Sequence, residues 1–152
     1  MREFNSKNAL HDMNRYEYKH VVSFEDTNLV GNVYFANYVK WQGRCREFFL
    51  KDKSPGVLAL VEREGLALIT INCSCNYLSE LKVFDEVTIK MGLQELTYNR
   101  VKMTFDYYKV GRRKELLVAT GLHEIGCYKR INNELIPVEV PEDLTNALKE
   151  YQ

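Results

Sequence analysis

The chain has 152 residues with 21 basic and 21 acidic side chains, so its formal net charge at pH 7 is zero. This length predicts one domain with a sizeable hydrophobic core, and the balanced charge argues against a nucleic-acid-binding protein. No apolar run approaches the roughly 20 residues that a membrane-spanning helix needs, and the N-terminus lacks a signal peptide. Together these features predict a soluble cytoplasmic protein with no membrane partner.

The four cysteines, Cys45, Cys73, Cys75 and Cys127, show no paired spacing and no associated histidine pattern. Zinc sites and disulfide frameworks both depend on such spacing. The sequence therefore predicts reduced thiols in a cytosolic protein, with no disulfide and no bound metal or cofactor.

The N-terminal third of the chain contains an extension, a strand, a loop and the longest helical pattern. Residues 1–14 are polar and aperiodic, so we interpret them as a mobile extension and place the single domain at residues 15–152. Alternation from Tyr16 to Phe24 predicts a first strand, which a loop follows. Asn32 has the side chain of a helix N-cap, so the long helix is predicted to begin just after it and to reach about Lys51.

The long helix is apolar over most of its circumference. At about 100° per residue its polar residues fall together on one narrow stripe. This stripe contains Asn37, Lys40, Arg44, Glu47 and Lys51. Arg46 is the exception, because it lies among apolar neighbours, where an unpaired charge is costly. A helix of this kind must be wrapped by other elements, and a sheet is the simplest wrapping.

Two shorter helices are predicted by chain breaks and helical spacing. Ser54, Pro55 and Gly56 interrupt the chain, and the apolar residues after them predict a helix that ends near Gly65. Near the C-terminus, Pro141 precedes acidic residues and then apolar residues at helical spacing, which predicts a final helix.

Between these two helices the periodicity changes to alternation, which is typical of antiparallel strands with one covered face. Ile69, Ile71 and Cys73 are expected to share the covered face of the first such strand, and the last strand is predicted to reach about Lys129. The alternation marks four strands, at residues 69–77, 87–93, 101–107 and 117–125. We therefore predict an α+β fold in which a curved antiparallel sheet of about five strands wraps a long central helix. The free edges of this sheet predict self-association.

The segments DTNLVGNVYFANYVKW and WQGRCREFFL, in this order of elements, resemble the hotdog-fold thioesterases of the 4-hydroxybenzoyl-CoA type. Within that family they are most similar to the acyl-carrier-protein (polyene) thioesterases of enediyne biosynthesis, and the resemblance covers about residues 16–140. It implies hydrolysis of a polyene or β-keto polyene thioester on the acyl carrier domain of an iterative polyketide synthase. It also implies homodimers, often paired into homotetramers, with active sites at the subunit interface.

The chain departs from the common family pattern at one position of the loop before the helix. The family usually has a catalytic carboxylate there, whereas this chain has Asn28, a substitution that the enediyne subgroup shares. An amide cannot ionise, so Asn28 is neither a general base nor a nucleophile. It can only orient a water molecule or the thioester carbonyl.

Four residues are the predicted catalytic groups. By resemblance, the Phe35 N–H at the start of the helix donates to the oxyanion, where free N–H groups meet the positive end of the helix dipole. We expect Asn28 and Arg46 to hold the attacking water or hydroxide, with Tyr38 completing the polar contacts. Arg46 would favour hydroxide electrostatically, because a guanidinium stays charged and is a poor base.

A polyene chain needs a long apolar channel, and aromatic and apolar residues of the helix and strands are candidates for its walls. The predicted lining residues are Tyr34, Trp41, Cys45, Phe48, Ile71, Cys73 and Met103. The same residues would equally make an ordinary hydrophobic core.

Each candidate has a purely structural alternative. Arg46 could pair with Asp26 or with an acid of a partner subunit, and Asn28 could be only a turn residue. Tyr38 could belong to the core, and Asn32 could cap the free N–H groups at the helix start. Asp26 is interpreted as fixing the loop, with a general-base role as the alternative. His20 and His123 are interpreted as buried strand histidines, with catalysis as the alternative.

Two other functions remain open from the residues. A general acyl-CoA thioesterase of the same fold would need a basic surface, which the GRRK run at residues 111–114 could supply. This run could instead be a solvated hairpin turn, or a docking patch for an acidic carrier domain. A non-hydrolytic acyl-binding module is the alternative from another class, because the catalytic carboxylate is missing.

Overall fold

The computed structural model describes residues 14–152. The predicted extension therefore lies, except for its last residue, outside the described part of the chain. A short 3-10 turn at Phe24–Asp26 follows the first strand. The elements are β1 (Tyr16–Val21), α1 (Ala36–Lys53), α2 (Pro55–Glu64), β2 (Leu66–Tyr77), β3 (Glu86–Leu96), β4 (Arg100–Val110), β5 (Glu115–Ile131), β6 (Glu134–Pro137) and α3 (Glu142–Lys149).

All strand pairings are antiparallel, in the order β1-β3-β4-β5-β2, and β6 pairs with the end of β5. The strands β1 and β2 therefore form the two edges, and α1 packs against one face of the sheet. This confirms the predicted α+β architecture of a long helix wrapped by an antiparallel sheet. In the described part of the chain, no helix has the length and apolarity needed to cross a lipid bilayer.

The core lies between α1 and the inner face of the sheet. Trp41, Cys45 and Phe49 of α1 are fully buried there against strand residues such as Met91 and Phe105. Full burial of a side chain of this size contributes about 1.5–3 kcal/mol relative to leaving it exposed. The predicted inner faces are confirmed over residues 87–93 of β3 and 101–107 of β4, where every second residue is apolar and buried.

The start of α1 differs from the prediction. The helix begins at Ala36, and Asn32 is not its N-cap. The preceding backbone instead forms strand-like bridges, in which the Val33 N–H donates to the Leu81 carbonyl at 2.8 Å and Asn32 pairs with Lys82. Long-range backbone pairing therefore outweighs the local capping preference of the Asn32 side chain.

The covered face of β2 also differs from the prediction. Thr70 pairs with Ile125 while Asn72 pairs with Glu124, so Ile71 is an extra, bulged residue. A β-bulge shifts the alternation by one position. The inner face therefore changes from even to odd residues along β2, and Thr70, rather than Ile69, shares a face with Cys73.

The hairpin of β5 and β6 was missed at the level of sequence. The strand β5 continues to Ile131, and β6 returns after a turn at Asn132 and Asn133, whose φ angles are +50° and +65°. Two successive residues with positive φ are typical of a type I′ hairpin turn, and Asn tolerates this conformation. The adjacent asparagines were therefore the signal that could have predicted β6.

The two shorter helices are confirmed. The helix α2 ends at Glu64 and is capped by Gly65, whose φ of +71° is a left-handed conformation that glycine adopts without a steric penalty. The helix α3 buries Leu144 and Leu148, which lie one turn apart on the face toward the core. Both boundaries follow from local sequence signals, and so they could be read directly.

Candidate active site

The loop before α1 is organised by the buried carboxylate of Asp26, which is only 6% exposed. Its Oδ2 accepts hydrogen bonds from the Ser23 N–H at 2.9 Å, the Ser23 hydroxyl at 3.1 Å and His20 Nε2 at 2.9 Å. Burial alone would raise the pKa of Asp26, but these hydrogen bonds outweigh it and hold the pKa below its usual value. Such an occupied carboxylate is a weak base, which supports the loop-fixing interpretation of Asp26.

Asn28 lies at the exposed tip of this loop. Its Oδ1 accepts a hydrogen bond from the Val30 N–H at 2.9 Å, and its carbonyl accepts one from the Gly31 N–H at 3.0 Å. The side-chain oxygen therefore accepts a hydrogen bond within the turn, whereas the two N–H groups of Nδ2 are donors that the turn does not use. Asn28 thus combines the turn role with a donor that a carbonyl or hydroxide oxygen can meet.

Phe35 and Tyr38 lie together at the start of α1. Phe35 directly precedes the helix, so its N–H has no intrahelical acceptor, and its carbonyl accepts the Tyr77 hydroxyl at 2.8 Å. The preceding amide is occupied, because the Tyr34 N–H donates to the Asp26 carbonyl at 2.9 Å. Tyr38 is buried edge-to-face against Tyr77, with ring centroids 5.0 Å apart. Burial raises the pKa of Tyr38 to about 12, so its hydroxyl stays protonated at neutral pH.

Arg46 lies in the middle of α1 and faces the sheet. Its Nη1 donates to His123 Nε2 at 3.2 Å, and its Nε is buried with no hydrogen-bond partner among the described residues. Among residues 14–152 it forms no ion pair, and Asp26 is held by His20 and Ser23, so the alternative Arg46–Asp26 pair is wrong for this chain. Burial lowers the pKa of Arg46, but a guanidinium remains charged at any pH relevant to the protein.

His123 is the partner of this guanidinium and is only 5% exposed. An arginine can only donate, so Nε2 carries the lone pair and the ring proton resides on Nδ1. The Thr70 hydroxyl lies 3.0 Å from the same Nε2, whereas Nδ1 is buried with no partner in the described chain. Burial and the neighbouring guanidinium lower the pKa of His123 to about 4, so the imidazole is neutral at pH 7.

The four predicted catalytic residues form two separate groups within one chain. Asn28, Phe35 and Tyr38 lie at or near the N-terminal end of α1, and Arg46 lies eleven residues after Phe35. At 1.5 Å per residue this is roughly 16 Å along the helix axis, more than an arginine side chain can reach. One chain alone therefore does not bring Arg46 and the Phe35 N–H to the same substrate oxygen.

The seven predicted lining residues do not form one channel within the chain. Trp41, Cys45 and Met103 are part of the core. Phe48 is 42% exposed and stacks on Tyr18 of β1, whereas the exposed Ile71 lies on β2, at the opposite edge of the sheet. The remaining two residues, Tyr34 and Cys73, are exposed.

The described residues also contain features that bear on other chemistries. Nowhere between residues 14 and 152 do three His, Cys, Asp or Glu side chains lie close enough to hold a metal ion. The contacts of His123 with Arg46 and with the Thr70 hydroxyl were missed by the sequence reasoning. Thr70 gave no signal of this contact, because it is one of several polar residues along β2.

Comparison with known proteins places this geometry in a family. A family model described as the thioesterase-like superfamily matches residues 22–148. A crystal structure of the dynemicin thioesterase, whose study concerns polyene binding, is 47% identical, covers 90% of this chain and 96% of its own, and superposes with a TM-score of 0.86.

More distant relatives agree with this assignment. The 1,4-dihydroxy-2-naphthoyl-CoA hydrolase of Thermosynechococcus vestitus is 23% identical over 125 residues, which are 82% of this chain and 84% of the relative. A mutant of 4-hydroxybenzoyl-CoA thioesterase in complex with 4-hydroxybenzoyl-CoA has 20% identity and a TM-score of 0.77, covers 89% of this chain and 99% of its own, and shows the shared fold. The chain therefore belongs to the thioesterase-like superfamily, with the hotdog fold, and is a thioester hydrolase.

Proposed function

We propose that this thioesterase hydrolyses a polyene or β-keto polyene thioester presented by the acyl carrier domain of an iterative polyketide synthase, without a catalytic carboxylate. The observation that carries the proposal is the loop amide of Asn28 combined with the half-buried guanidinium of Arg46, which forms no ion pair with any residue from 14 to 152. The similarity to the dynemicin thioesterase, a protein studied with a bound polyene, supports the substrate class.

In the proposed reaction, a hydroxide oxygen attacks the thioester carbonyl carbon while the carbonyl oxygen gains negative charge. The Phe35 N–H donates to this oxyanion, and Asn28 Nδ2 and the Arg46 guanidinium orient the hydroxide. The C–S bond then breaks, the carbonyl re-forms as a carboxylic acid, and the pantetheine sulfur leaves as a thiolate. A thiol with a pKa of about 8.5 needs no strong general acid to leave. Where the product is a β-keto acid, it can lose CO₂ to give a methyl ketone without a further protein group.

Two copies of the chain are needed in this mechanism, because one chain separates Arg46 from Asn28. We propose that the copies associate through the free edge of β2, whose central residues, including Ile71 and Cys73, are exposed. Each active site then takes Asn28 and the Phe35 N–H from one chain and Arg46 from the other. Unpaired edge strands are common templates for such association.

Mixing two inactive variants tests this arrangement. Asn28→Ala and Arg46→Ala chains, unfolded together and refolded at equal amounts, form mixed dimers in which one of two sites carries both native groups. Random pairing is then expected to restore about a quarter of the wild-type activity, because half of the dimers are mixed and half of their sites are intact. No recovery in verified mixed dimers would contradict a shared site.

The substrate is tested by measuring kcat/KM on a polyene carrier thioester beside a CoA thioester of equal chain length. We expect the carrier thioester to be preferred. Preference for CoA would favour the general acyl-CoA thioesterase, and acyl binding without turnover of either substrate would favour the binding module.

The basic hairpin between β4 and β5 provides a second test of the partner. Arg112, Arg113 and Lys114 are exposed, and none of them forms an ion pair with another described residue. The double variant Arg112→Ala/Arg113→Ala is expected to raise KM for the carrier thioester several-fold and to leave a short pantetheine thioester unaffected. Arg63→Ala, on α2, is the control for loss of a surface charge.

A further inference from the structure

We propose that His123 is a positioning residue for Arg46, which it holds through a neutral acceptor so that the positive charge of the guanidinium stays available to the reacting thioester. The inference rests on the catalytic role proposed above for Arg46, and it assigns a function to a histidine that the mechanism does not otherwise use.

Three elements meet at this contact. Arg46 comes from α1, His123 from β5, which is paired on both sides by β4 and β2, and Thr70 from β2. The bulge at Ile71 puts Thr70 on the same face of β2 as Cys73, which pairs with His123. The Thr70 hydroxyl and Arg46 Nη1 share the single lone pair of His123 Nε2. The ring orientation is therefore fixed from two directions, and the guanidinium with it.

The chemical identity of the acceptor decides what Arg46 can do. A buried arginine is most often paired with a carboxylate, which neutralises its charge as well as orienting it. An imidazole lone pair orients the guanidinium equally well but contributes no negative charge. The full positive charge can then stabilise a bound hydroxide or a developing oxyanion.

The surroundings of His123 keep it in this neutral state. Arg46 is the only charged side chain of residues 14–152 that contacts it; on β4 it faces Phe105, with ring centroids 6.4 Å apart, and across β2 it pairs with Cys73. Protonation would place a second cation 3.2 Å from the first. This agrees with the lowered pKa of His123, for which burial is the larger cause and the guanidinium the second.

Three substitutions at His123 separate orientation from charge. His123→Leu removes the acceptor, His123→Gln keeps a neutral acceptor, and His123→Glu introduces a charged one. For turnover of the carrier thioester we expect His123→Leu to lower kcat by about 10²-fold with little change in KM, because a misplaced group typically costs this much. We expect His123→Gln to avoid most of that loss, with a kcat within about tenfold of wild type.

The decisive comparison is between His123→Glu and His123→Gln. Glutamate can form an ion pair with Arg46 and keep the melting temperature, yet we expect its kcat to be as low as that of His123→Leu. If His123 only held Arg46 in place, the glutamate variant would be at least as active as the glutamine variant. That ranking would overturn the proposal.

An NMR titration of His123 tests the contact without measuring activity. In Arg46→Met the pKa of His123 is expected to rise by about one unit, because the neighbouring charge is gone, and in Arg44→Met it is expected to stay unchanged. No rise in Arg46→Met would overturn the inference and leave the proposed function standing. A rise in a fully active Arg46→Met enzyme would overturn the proposed role of Arg46, and the positioning role of His123 with it.

Discussion

The two groups of proposed catalytic residues lie in different environments, one in the loop before α1 and the other in the middle of this helix. At the N-terminal end, Asn28 and the neighbouring Leu29 and Val30 are exposed, and the groups offered to a substrate are neutral amides. In the middle of the helix, the Arg46 guanidinium is half-buried and donates to His123. Neutral N–H donors in an exposed loop can form hydrogen bonds with water. A partly buried charge instead needs a hydrogen-bond acceptor from the protein.

This contrast also shows why neither region is an active site by itself. The open end has the donors for an oxyanion but no described cation, and the half-buried region has the cation but lies roughly 16 Å further along the helix. A second chain that packs on the exposed β2 edge could join them.

The largest expected effect is at Arg46. Arg46→Ala is expected to lower kcat by about 10²–10³-fold, because it removes the charge that stabilises the hydroxide and the oxyanion. Steady-state kinetics on a carrier thioester measures this, with circular dichroism and sedimentation showing that the variant stays folded and associated. Arg44→Ala, two residues away on the solvated stripe, is the matched control. Equal losses in both variants would show that the position of Arg46 is not special.

The open end is tested at Asn28. Asn28→Ala is expected to lower kcat by about 10²-fold, because it removes one donor to the reacting oxygens, whereas Asn146→Ala on α3 is expected to have no effect. Asn28→Asp is expected to stay below the wild-type rate, because its negative charge repels hydroxide. A rate above wild type for Asn28→Asp would mean that this scaffold still uses a carboxylate.

The junction between the two regions is tested at the edge of β2. Ile71→Lys places a charge on a residue that is 41% exposed in one chain and that we propose to be covered by a second. Sedimentation velocity is expected to show an association constant at least tenfold weaker, about 1.4 kcal/mol, with activity falling in parallel on dilution. Val61→Lys on α2, at 42% exposure, is the control. An unchanged association constant for Ile71→Lys would rule out this edge as the interface.

The smallest effect is expected on stability at Asp26, which shapes the open end without reacting. Asp26→Asn is expected to lower the free energy of unfolding by about 1 kcal/mol at pH 6, the net value of a typical hydrogen bond. Since the pKa of Asp26 is lower in the folded than in the unfolded chain, its contribution is complete above about pH 4 and is lost as the pH falls through the folded-state pKa.

Urea unfolding of Asp26→Asn and wild type at pH 6 and pH 3.5 measures this dependence. The difference between the two proteins is expected to narrow at the lower pH. The exposed neighbour Glu25, changed to Gln, is the control. A difference that is constant with pH would show that the carboxylate form of Asp26 is not what stabilises the loop.

Much of the fold could be read from local patterns, and the failures have specific physical causes. The faces of β3 and β4 were predictable because the alternation is uninterrupted over residues 87–93 and 101–107. The face of β2 was not, because one bulged residue at Ile71 reverses the alternation and nothing in the local composition marks it. The predicted start of α1 was wrong because the backbone of Asn32 pairs with Lys82, 50 residues away in the chain. This pairing outweighs the preference of its side chain for a helix N-cap.

The sequence by itself determined the class of fold, the amide of Asn28 in place of an acid, and the presence of a cation among apolar residues at Arg46. These features depend on residues close together in the chain, whose spacing sets helix, strand and loop. Only the tertiary structure decided that the cation meets neutral His123, 77 residues later, rather than Asp26, and that it lies far from the loop. Such contacts depend on strand register and on one bulge, which are settled when helix and sheet pack together.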